Sequence, residues 1–107
     1  VSANVETLAK IEGLEQLYRS GYRSEVVDLT IDKLIALEVA AAQREMESLR
    51  ERLASFEREY KLATDEFFQR FQSGRMGDSA DLFEWSAFYQ MWQSARARLS
   101  LLGAEAA

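Results

Sequence analysis

The chain has 107 residues, 48% of them apolar, with no proline, no cysteine, no histidine and a net charge of −5. Those numbers allow one small core and exclude disulfide, thiol and histidine-based chemistry. They also argue against unaided binding to nucleic acid or anionic lipid, which needs clustered Lys and Arg. Scarce punctuation by glycine and proline points to an all-α fold. No signal peptide or membrane span is visible, and the longest apolar run is only Val39-Ala40-Ala41-Ala42, so a cytoplasmic protein is expected.

The first expected helix covers residues 3–19 of a 1–20 segment. Val5, Leu8, Ile11, Leu14 and Leu17 recur at near-helical spacing, and Gly21 supplies the stop. Ser24 is placed to cap a second helix, with Glu25 and Asp28 in its dipole-favoured first turn. This helix is expected to run from 24 to 62 without a break. Val39, Ala42, Met46, Leu49, Leu53, Phe56 and Tyr60 step alternately by three and four, a heptad seam like that of a coiled coil. Upstream, Val27, Ile31, Leu34, Ile35 and Leu37 make a broader apolar face.

A short aromatic third helix is expected over 64–73, capped by Thr64 and ended by Gly74. The fourth runs over 79–102, capped by Asp78 or Ser79 and stopped by Gly103. Leu82, Trp85, Tyr89, Trp92 and Leu99 share one stripe of it. The expected architecture is therefore a single helical domain, with a long central helix and a folded-back C-terminal helix in a hairpin or bundle.

Length then suggests a partner. A helix of about 38 residues reaches about 57 Å, whereas a compact domain of this size is roughly 34 Å across. The long helix outruns its own chain, so a homodimer or a hetero-complex built on this helix is expected, with a structural homodimer or adaptor as the alternative function. Val39, Ala42, Met46, Leu49, Leu53 and Phe56 are the self-association candidates. Trp85, Tyr89 and Trp92 are the candidates for a foreign protein, because aromatic residues anchor interfaces.

The segment FQSGRMGDSADLFEW, residues 71–85, reads as the corner between the last two helices. Its glycines permit the bend and its Asp and Ser residues cap the next helix. A second acidic pattern, Glu12-Gly-Leu-Glu15 followed by Glu25-Val-Val-Asp28, resembles the Mg²⁺-binding motif of all-α nucleotide pyrophosphatases of the MazG type. That resemblance implies Glu12, Glu15, Glu25 and Asp28 as metal ligands around a nucleotide's phosphates. The preferred reading requires no metal and no cofactor.

Three longer stretches, YRSEVVDLTIDKLIALE, FEREYKLATDEFFQRFQSG and GDSADLFEWSAFYQMW, carry a second resemblance. Together they are similar to small helical proteins of bacteria and archaea described as antitoxin-like. The likeness runs from Tyr22 to Leu102. It implies a non-catalytic, acidic, dimeric protein that neutralises a basic toxin, commonly an RNase encoded beside it. Nucleic-acid binding without that partner is not expected, since no basic recognition helix is present.

Overall fold

The computed structural model describes residues 3–104 and is all-helical, with no strand among the described residues. Its elements in order are α1 (Ala3–Arg19), α2 (Glu25–Tyr60), α3 (Thr64–Gln72) and α4 (Ala80–Leu101). None is long and apolar enough to cross a membrane. The chain divides into two compact units, Val1–Leu34 and Ile35–Ala107, with α2 running through the division.

The N-terminal unit is a hairpin of α1 and the start of α2. Gly21 takes a positive φ of 96° in the connecting turn, where a side chain would be strained. The Ser24 hydroxyl accepts from the Val27 amide and caps α2. Tyr18 fastens the turn: its hydroxyl donates to the Asp28 carboxylate at 2.6 Å and accepts from the Ser24 amide at 3.2 Å. No residue from 4 to 34 is buried.

The C-terminal unit is built differently. There α2 packs along α4 with α3 wedged at one end. Ala42 and Met46 of α2 meet Ala95 and Leu99 of α4 in one buried cluster. Leu53, Phe67, Leu82 and Trp85 form a second. Small residues at 42 and 95 lie in the first cluster, and larger side chains fill the end where α3 enters.

Trp85 organises that end. It is fully buried and lies flat on Phe67, with ring centroids 3.8 Å apart and planes 1° from parallel. Phe56 and Tyr60 stack near it, each with a centroid 5.5 Å away. Its indole N–H donates to the Thr64 hydroxyl at 3.0 Å, satisfying the one polar atom a buried Trp brings.

That bond changes the expected role of Thr64. The N-cap position of α3 belongs to Ala63, which has no side-chain bond to give. Glu57, reaching from α2, instead accepts from the Thr64 amide at 2.8 Å. The carboxylate thus satisfies a free amide at the positive end of the α3 dipole. A second departure is the end of α2, which stops at Tyr60 with Lys61 at φ 51°, a left-handed turn made without glycine.

The corner between α3 and α4 follows the sequence reading closely. Gly74 and Gly77 both have positive φ, and Ser79 is the N-cap of α4, accepting from the Leu82 amide. Asp78, the alternative cap, is not used.

Candidate functional site

The heptad seam is occupied by the chain itself. Ala42, Met46, Leu49 and Leu53 are buried, while Val39 and Phe56 are half-buried beside the two clusters. The periodicity marked a buried face, and α4 of the same chain covers it. The expectation that this seam faces a second copy is therefore corrected: its four central residues have no free surface to offer.

Trp85 is likewise withdrawn from any foreign interface, because it has no exposed surface. Tyr89 and Trp92 differ from it. Both are half-buried and both wall a groove of about 380 Å³ with Arg50, Glu57, Asp65 and Arg96. Their rings are stacked 6.1 Å apart, and Tyr89 meets Phe68 edge-on at 5.0 Å. The Arg96 guanidinium lies 5.5 Å from the Trp92 ring, a cation–π contact. One atom in this wall is anomalous. The Trp92 Nε1 is shut off from solvent and donates to nothing in the chain, an uncommon condition for a buried donor.

The acids of the ExxE and ExxD pattern do not converge. Glu15 is bound to Arg19 at 2.9 Å, one turn along α1. Asp28 is bound to Tyr18 and to Arg23. Among the described residues no group of three or more acids is placed to hold a metal ion. The set Glu12, Glu15, Glu25 and Asp28 is thus a turn clasp and helix-surface charges rather than a ligand shell.

The Tyr18–Asp28 bond shifts both partners. Donation from Tyr18, helped by Arg23, holds the Asp28 carboxyl below its usual range. The same bond to an anion pushes the Tyr18 phenol up. Both shifts favour the state in which Tyr18 is protonated and Asp28 ionised.

The hairpin leaves a broad apolar surface uncovered, away from the heptad seam. Val5, Leu8, Ile11, Leu14, Leu17, Val26, Leu29, Ile31 and Leu34 are all exposed, between 39% and 74%. Between α1 and α2 runs an open groove of about 550 Å³, lined by Ile11, Leu14, Tyr18, Val27 and Ile31 with Glu15, Asp28 and Asp32 among them. The signal in sequence was the broad apolar face upstream of the seam, which is wider than one neighbouring helix can cover.

Compared with family models, curated proteins and solved structures, the chain matches none of them.

Proposed function

We propose that this chain is a non-catalytic, antitoxin-like binding module that neutralises a small basic protein. The observation that carries the reading is the groove at Tyr89 and Trp92. Tyrosine, tryptophan and arginine are the side chains that most often dominate binding energy at protein interfaces. Here Tyr89, Trp92 and Arg96 stand together in one open wall, with Glu57 and Asp65 beside them. The unpartnered Trp92 Nε1 adds a donor that a bound segment's carbonyl would satisfy after a small opening of the wall. The net charge of −5 steers a basic partner towards the chain without specifying it.

The test is co-expression with the protein encoded beside this one. A small basic protein that arrests growth alone, and is relieved and co-purified by this chain, is the expected result. Relief should be lost in Tyr89→Ala and Trp92→Ala, while their helicity persists. A neighbour that is neither toxic nor bound overturns the reading.

A further inference from the structure

We infer that the N-terminal hairpin is a self-association surface, and that two copies of the chain close a four-helix bundle over it. This inference does not rest on the antitoxin-like reading, which concerns the other unit. It begins with the winding of α1. Val5, Leu8, Ile11, Leu14 and Leu17 recur every third residue. On a helix of 3.6 residues per turn each such step rotates by about 60°, so the stripe wraps through roughly 240°. One neighbour cannot cover so wide a stripe, and α1 has only α2 beside it within its unit.

The start of α2 has the same property. Val27 and Ile31 line the groove, while Val26 and Leu29 project from the other side, 74% and 60% exposed. Helices apolar around most of their circumference belong inside an assembly of helices. A two-helix unit with no buried residue among its described residues also lacks the core that independent stability needs.

Area supports a full interface rather than a minor patch. A fully exposed aliphatic side chain carries roughly 60–120 Å² of buriable apolar surface. Nine of them at about half exposure offer roughly 300–500 Å². A standard interface takes about 800 Å² from each partner, of which about 450 Å² is apolar. The exposed aliphatic surface of the hairpin is thus of the same order as the apolar share of one stable dimer interface.

Charge selects a second copy over a foreign chain. The hairpin carries six acids against four bases, so neither sign dominates its surface. Lys10 and Lys33 make no ion pair among the described residues, and neither do Glu6, Glu12, Glu25 and Asp32. Unpaired charges of both signs on the two helices of one hairpin can meet opposite charges of a second copy across a two-fold axis. A uniformly acidic face would instead select a basic partner.

Sedimentation of the purified chain against Leu8→Glu/Leu29→Glu tests this, with Phe83→Glu and Met91→Glu as controls at exposed apolar positions of the C-terminal unit. The wild type should sediment at twice the 12.2 kDa chain mass. The double variant should dissociate at least about 100-fold more readily, while the controls stay dimeric. Both tryptophans lie in the C-terminal unit, so unchanged tryptophan fluorescence separates dissociation from global unfolding. A wild-type monomer at about 100 µM, a concentration at which any dimer of micromolar affinity is formed, overturns the proposal. So does a dimer that survives Leu8→Glu/Leu29→Glu yet is lost in Phe83→Glu or Met91→Glu. A chain that stays monomeric and binds only a foreign basic protein at the hairpin overturns it too.

Discussion

The two units of this chain draw on the same residue types and use them in opposite ways. The C-terminal unit buries a core of its own: Trp85, Phe67, Ala95 and Leu99 have essentially no exposed surface. The N-terminal hairpin keeps its valines, leucines and isoleucines in the open, held in shape by a glycine turn, a Ser24 cap and the Tyr18–Asp28 bond. Hydrophobic patterning alone does not separate these cases. What separates them is whether another helix of the same chain reaches the face.

The largest effects should come from the self-sufficient unit. Trp85→Ala removes a buried ring stacked on Phe67 and strands the Thr64 hydroxyl. It should cost about 3–5 kcal/mol, read by urea denaturation. Leu8→Ala, at a position 56% exposed, should change the stability of an isolated monomer by less than about 0.5 kcal/mol. Similar losses at both positions would erase the distinction between the units.

Leu49→Glu sharpens the same contrast. Leu49 is only 4% exposed on the face covered within the chain, so a carboxylate there is buried without a partner. The variant should lose its cooperative thermal transition, by circular dichroism, rather than merely change its oligomeric state. A stably folded Leu49→Glu monomer would return the seam to the list of intermolecular faces.

The turn of the hairpin should respond to pH at both ends of the scale. Asp28 has a lowered pKa in the folded chain, so its contribution is present above the ordinary carboxylate range and lost as pH falls through the lowered value. Tyr18 has a raised pKa, so its contribution is present below the ordinary phenol value and lost as pH rises through the raised one. NMR chemical shifts of the Gly21 turn should therefore stay constant between those limits and move outside them. In Asp28→Asn, phenolate absorbance should show Tyr18 titrating at lower pH than in the wild type. An unchanged Tyr18 titration would contradict the bond.

The smallest effects should be at helix ends. Lys61→Gly relieves a left-handed residue and should stabilise the C-terminal unit by about 0.5–1 kcal/mol. Ser79→Ala should destabilise it by about 0.5–1 kcal/mol, at the low end because the cap bond is 3.4 Å long. Thermal melts of both variants check the opposite signs.

Much of the fold was legible because its signals are local. The glycine stops at 21, 74 and 103 and the caps at Ser24 and Ser79 act within a few residues of themselves. The heptad seam correctly marked a buried face. What it could not say is which helix does the burying, since a face has the same period whether its cover is α4 or another molecule. Thr64 was misread for a related reason: its hydroxyl serves Trp85, 21 residues away, and no neighbouring residue signals that. Lys61 carries no sequence mark of its left-handed φ. Of the candidate site, Tyr89 and Trp92 were legible as aromatics on one stripe, but Trp85 on that same stripe is interior. The hairpin surface was legible as apolar excess and was passed over for the more regular seam.

Hydrogen exchange across the chain, measured at about 1 µM and about 100 µM protein, tests the central claim most directly; a dimer of micromolar affinity would form between those concentrations. At the lower concentration α1 and the first turns of α2 should exchange rapidly, while residues 42–99 are protected by their own core. At the higher concentration protection should rise in the hairpin and nowhere else. If α1 is as protected as α4 in dilute solution, and the added concentration changes nothing, the hairpin is complete by itself and the account fails.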